Sequence, residues 1–166
     1  MVAFGHTGVG VLVGVAAYHA FGKGDIALGL IATGFLGVIS HYLADLIPHG
    51  HFFRTQEKYD KLIIWVILFD LLLPILFLLS TAHYMQKNPI EILYILFGIG
   101  GSQLPDVIGG LSELKLLPEN KLLKLEHKFH MSTHWHGQNE KALLFSLYDI
   151  WQITVFILAV LAIINL

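Results

Sequence analysis

Apolar positions along the chain gather into five long runs, at about 7–22, 26–47, 62–82, 90–106 and 142–164. A helix rises 1.5 Å per residue, so roughly 20 residues cross ~30 Å of hydrocarbon. The runs are long and lack period-2 alternation, which argues against strand. The first run is rich in glycine, and it and the fourth are short for a full crossing. Such segments lie half-buried or tilted, or continue as irregular backbone facing protein or water. A sixth element is predicted over 118–130, with Pro118 and Glu119 suited to a helix start. There Leu122, Leu125 and Phe129 recur at helical spacing opposite Lys121, Lys124 and Lys128. That pattern suits an interfacial amphipathic helix on anionic headgroups, covering a site or delivering lipid to it. An ordinary surface helix in a loop has the same pattern. The expected fold is an all-α, polytopic membrane helical bundle of about five spans plus this interfacial helix. Residues 1–166 form a single integral-membrane domain.

Composition narrows the chemistry. Of 166 residues, 55% are apolar and only 13% charged, which reinforces the membrane assignment. With a net charge of −2 and no basic surface standing out, nucleic acid is not an expected partner. The absence of cysteine excludes disulfides, thiolate catalysis and cysteine-ligated metal. The start, M-V-A-F-G-H, lacks a basic n-region and a nearby cleavage site, so the first run is expected to be a retained helix.

Five spans place the N-terminus and the connections at 48–61 and 107–141 on one side of the membrane. That side carries Arg54, Lys58, Lys61, Lys115, Lys121, Lys124, Lys128 and Lys141, against Lys23 and Lys87 on the other. The positive-inside rule makes it cytoplasmic. Eight of the ten histidines fall there too: His6, His41, His49, His51, His127, His130, His134 and His136. Polar loops account for part of this bias. They do not account for histidines at helix ends paired with aspartates.

His41 and Asp45 are four apart near the end of the second run, so they share one helical face. Both can bind a metal, or the carboxylate can orient the imidazole; a satisfied polar pair is the plain alternative. His6 opens the first run in G-H-T-G. Leu104-Pro105-Asp106 is expected to close the fourth run, where glycines and proline loosen the helix and free Asp106 to approach an ion. A carboxylate is disfavoured at the negative end of a helix, so a cation there is a natural complement. His127, His130 and His134 fall at i, i+3 and i+7, on one face if helix continues through Ser132. They can also be an interfacial cluster titrating near neutrality. His49 and His51 follow Pro48 as further ligands or as solvated side chains. Asp70 and Asp149 lie inside the third and fifth runs, where a bare charge costs ~2.5–3.5 kcal/mol. Protonation, a bond to another helix, or support of a metal ligand would relieve that cost.

A shift of 61 residues lays Gly37, Leu43, Asp45 and Ile47 over Gly98, Leu104, Asp106 and Ile108. Two like-oriented helices ending in aspartate would aim both carboxylates into one site.

G-x-x-S-H-x-x-A-D at 37–45 resembles a motif of the membrane-bound metal-dependent hydrolases, a family of bacterial inner-membrane proteins. His6-Thr-x-x-Gly, Leu104-Pro105-Asp106 and the segment from His127 or His130 to Thr133-His134 are similar to further motifs of that family. Here L-P-D and T-H follow S-H-x-x-A-D, whereas the family places them before it. The run after Asp106 lacks the family's second acidic residue and adjacent histidine. The resemblance implies a small helical membrane protein with a divalent metal and hydrolase activity.

The expectation is therefore a metal-dependent hydrolase at the cytoplasmic headgroup level. His6, His41, Asp45, Asp106, His130 and His134 would hold one or two divalent ions. Zinc is the first choice, with manganese or iron also suited to nitrogen and oxygen ligands. Asp45 or His134 would move the proton. Membrane lipid is the expected partner and a lipid phosphoester the expected substrate, by location alone. The rival is a non-enzymatic metal-binding membrane protein, sensor or transporter. A transporter needs polar groups near the bilayer midplane, whereas here they concentrate on one side.

Overall fold

Glycine decides how closely the helices approach. A Cβ built on Gly14 would lie 2.5 Å from Ile95 Cα, and one on Gly37 would lie 2.7 Å from Gly98 O. Three helix backbones meet at these positions with no side chain between them. Small residues allow such contact inside a bilayer, where helices gain little by merely leaving lipid for one another.

The computed structural model describes residues 3–47, 61–113, 115–118, 120–133 and 150–165, with the side chains of α3 from Leu71 onward. His49, His51, His134, His136, Asp149 and the side chain of Asp70 lie outside the described residues. Every regular element among them is helical: α1 Ala3–Phe21, α2 Ile26–Asp45, α3 Lys61–Tyr84, α4 Pro89–Glu113, α5 Lys121–Thr133 and α6 Ile150–Asn165. The all-helical expectation is met. Three segments, Phe4–Phe21, Ile26–Asp45 and Pro89–Ser112, are long and apolar enough to cross a membrane, fewer than the five runs expected. Leu71–Tyr84 and Ile150–Asn165 are shorter apolar helical segments, measured over the described residues.

α4 is the central element, packed mainly against α1 and α2. α1 runs antiparallel to it: Gly14 faces Ile95, while His6 O accepts from Ser102 Oγ at 2.8 Å. α2 runs parallel to it: Gly29 faces Tyr94, Gly37 faces Gly98, and His41 reaches Ser102. α1 and α6 pack in parallel, with Gly5 against Gln152 and Gly8 against Phe156. The apolar core joins Val11, Val15, Leu78, Ala82, Ile95, Ile99, Ala159 and Ile163.

Exposure is inverted relative to a water-soluble bundle. On α2, Leu28, Ile31 and Phe35 are 66–68% exposed. His6, Thr7, Thr33, His41, Asp45, Ser102 and Gln152 are fully buried. Large apolar side chains facing outward over polar ones facing inward is the arrangement lipid favours.

Three expectations need correction. α4 does not close at Asp106; it continues unbroken through Pro105 to Glu113. Proline removes the bond to the carbonyl four residues back and would break an isolated helix. Here the flanking helices hold the segment in place, as they do for proline in membrane helices generally. The first helix, at 19 residues, and α4, at 25, are also long enough to span. The interfacial element starts later than Pro118: Asn120 caps α5, its Oδ1 accepting from Leu123 N at 2.8 Å. The amphipathic pattern itself is present. Leu122, Leu125 and Phe129 are exposed at 74%, 64% and 53%.

Candidate metal centre

Four helices deliver imidazoles and carboxylates to one end of the bundle. α1 brings His6 from its first turns. α2 brings His41 and Asp45 from its last turn and a half. α4 brings Asp106, one turn beyond Ser102, and α5 closes over them with His130. All three histidines and Asp45 are buried, while the Asp106 side chain is 32% exposed.

The spacing is that of a coordination shell. His41 Nε2 lies 3.1 Å from Asp45 Oδ2, 3.2 Å from His130 Nε2 and 3.8 Å from Asp106 Oδ1. His130 Nε2 lies 3.3 Å from Asp45 Oδ2 and 3.5 Å from Asp106 Oδ1. Ligands about 2.1 Å from a tetrahedral ion stand about 3.4 Å from one another. These donors are thus separated as ligands of one ion would be. His6 Nε2 joins from the far side, 3.2 Å from Asp45 Oδ1 and 3.6 Å from Asp106 Oδ2.

The ring of His41 is oriented from behind. Its Nδ1 lies 2.7 Å from Ser102 O, and a carbonyl oxygen only accepts. Nδ1 therefore carries a proton and donates it backward, which leaves Nε2 as the ring nitrogen directed into the cluster. This is the usual support for a metal-binding histidine. Ser102 Oγ donates to His6 O, and Gln103 Nε2 donates to Thr7 Oγ1 at 2.7 Å. These bonds fix α1 against α4 beside the site.

His130 is steered by a second set. Tyr42 OH donates to Glu126 Oε1 at 3.2 Å, and that oxygen lies 3.6 Å from His130 Nδ1. The latter distance is an electrostatic contact, too long for a hydrogen bond. Tyr42 also sets its ring edge-on to His41, His130 and Phe129. Burial pushes the His130 imidazole down, but its bond to Asp45 and the charges of Asp106, Asp45 and Glu126 outweigh this and raise its pKa.

Of the six ligands expected from the sequence, the structure brings together five: His6, His41, Asp45, Asp106 and His130. His134 lies outside the described residues. His127, one turn before His130, is exposed. His19, also exposed, lies near the far end of α1, which runs away from the site. Sequence reasoning missed Tyr42, Gln103, Thr7 and Gln152. It also missed the role of Glu126, for which the i, i+4 spacing to His130 was the available signal. The offset of 61 residues has a structural counterpart: α2 and α4 are parallel neighbours, His41 bonds to Ser102, and Asp45 and Asp106 enter the same cluster.

Comparisons with protein-family models, with curated proteins and with solved structures find no significant match.

Proposed function

We propose that this chain is an integral-membrane, metal-dependent hydrolase working at the cytoplasmic headgroup level. One observation carries the reading: His41, Asp45, Asp106 and His130 converge at shell spacing from three helices far apart in sequence. Buried charge and imidazole inside an apolar bundle are costly and call for a function. The site's partial resemblance to the motifs of membrane-bound metal-dependent hydrolases points the same way.

In this reading the chain crosses the membrane five times, with α1, α2, α3, α4 and α6 as spans and α5 in the interface. The excess of lysine and arginine at the site end favours a cytoplasmic N-terminus in a bacterial inner membrane. Zinc suits the nitrogen and oxygen donors, and manganese or iron would also be accepted. A divalent ion supplies an acidified water and polarises the bond to be cleaved. The protein's own contribution is to orient His41 through Ser102 and to leave Asp106 open toward the interface. Asp45, or His134 beyond α5 in the sequence, would carry the proton transfer. A lipid phosphoester is the substrate class that this location favours. Polar groups concentrated at one end favour chemistry there over a transport path through the midplane.

Metal analysis of the purified protein beside a His41→Ala, Asp45→Ala variant tests this. Bound divalent metal in the parent and its loss in the variant are expected. Equal, negligible metal in both would sink the proposal. A panel of phospholipids and soluble phosphoesters then tests turnover, and no metal-dependent cleavage across it would favour a sensor or carrier.

A further inference from the structure

Both aspartates present their two oxygens to different partners. Asp45 Oδ1 faces His6, while Asp45 Oδ2 faces His41 and His130. Asp106 repeats the division: Oδ2 faces His6, and Oδ1 faces His41 and His130. A carboxylate that serves one ion has no need to divide its oxygens in this way. Two carboxylates that do so together form the usual bridge between two ions.

His6 adds an independent observation. It is fully buried, its Nε2 lies 3.2 Å from Asp45 Oδ1 and 3.6 Å from Asp106 Oδ2, and its Nδ1 has no hydrogen-bond partner among the described residues. Its ring stacks on His41 with centroids 3.9 Å apart and planes 21° apart. Stacked rings whose Nε2 atoms both meet the two aspartates cap positions about one ring spacing apart. Paired catalytic ions are about 3.5–4 Å apart.

We propose that the centre takes two divalent cations bridged by Asp45 and Asp106, with His41 and His130 completing one position and His6 the other. The inference rests on the metal-centre reading above and extends it from one ion to a pair. The second position, defined by His6 Nε2, Asp45 Oδ1 and Asp106 Oδ2, has three protein ligands. With three protein ligands, that position would keep coordination sites for water or an incoming oxygen. Ion pairs of this spacing suit displacement at phosphorus, where attacking and leaving oxygens must both be stabilised. That is consistent with the phosphoester substrate class proposed above.

The test is manganese titration of the chelator-stripped full chain in detergent, read by metal content and electron paramagnetic resonance. Two equivalents per chain are expected, with the spin-coupled spectrum of a manganese pair. His6→Ala and the gentler His6→Gln should each hold one equivalent and give the six-line spectrum of an isolated ion. One equivalent with a six-line spectrum in the parent chain would overturn the pair while leaving the single-ion centre standing. Two equivalents retained in both His6 variants would overturn the assignment of the second position. No binding at all would bring down the metal reading itself. The parent spectrum decides between one ion and two whether or not any variant folds.

Discussion

His41 and Ser102 are joined by a 2.7 Å hydrogen bond from the imidazole Nδ1 to the backbone carbonyl, linking two parallel helices. The bond ties the orientation of a candidate ligand to the packing of α2 on α4. Anything that shifts these helices should therefore be felt at the metal centre.

Glycine substitutions separate packing from chemistry. Gly14→Val would drive a side chain into Ile95 Cα, and that backbone cannot move aside cheaply. A loss of about 1–3 kcal/mol is expected from such overpacking. Thermal melts in detergent should show a lower Tm, and metal content should fall with it. Gly100→Ala is the control, since a Cβ there meets nothing within 4 Å. It should hold or raise the Tm, because alanine gains about 0.4–1 kcal/mol over glycine in a compatible helical site.

The Tyr42–Glu126 pair should act on His130 without being needed for the fold. Glu126→Gln and Tyr42→Phe are expected to weaken metal binding about 10–100-fold, the usual effect of removing a ligand's supporting partner. Competition against a chelator of known affinity measures this. Unchanged affinity in both variants would mean that His130 is positioned by packing alone.

Loaded and stripped protein should answer pH in opposite senses. In the stripped chain, His130 has a pKa raised above its ordinary 6.5. Its contribution to stability is then fully present below 6.5 and is lost as pH rises through the raised folded value. A metal must instead displace that proton. Apparent metal affinity should rise with pH over the same window, by about tenfold per unit for each imidazole that has to be deprotonated. Hydrogen exchange at α5 in stripped protein, set beside metal titrations at several pH values, checks both signs.

The exposed apolar side of α5 should lie in lipid. The chain has no cysteine, so single cysteines carry an environment-sensitive fluorophore without background. In anionic vesicles, a label at Leu125 should emit to the blue of one at Lys124. Equal, water-like emission at both positions would remove α5 from the interface.

The His41–Asp45 pair was legible because four residues of helix bring two side chains onto one face whatever surrounds them. The clustering of His6, Asp106 and His130 with that pair was legible at lower resolution, from hydropathy and charge placing them on one side. The continuity of α4 was not. Gly100, Gly101 and Pro105 are breakers by local preference, yet α4 runs helical through them where it packs against α1 and α2. The choice of His130 over His127 was also hidden. Both lie on α5, and the rotation of that helix over the bundle selects one of them. Thr7–Gln103 and Tyr42–Glu126 join residues far apart in the chain, and no spacing rule anticipates such pairs.

Among the described residues, His6, His41 and Asp45 are fully covered, while about a third of the Asp106 side chain is uncovered. Among the described residues, the way out for an ion seated behind it would run past that carboxylate or through the undocking of α5. The occupancy of the centre would then be governed by residence time as much as by affinity. A metal acquired during assembly would stay through dilution that its equilibrium constant alone would not survive.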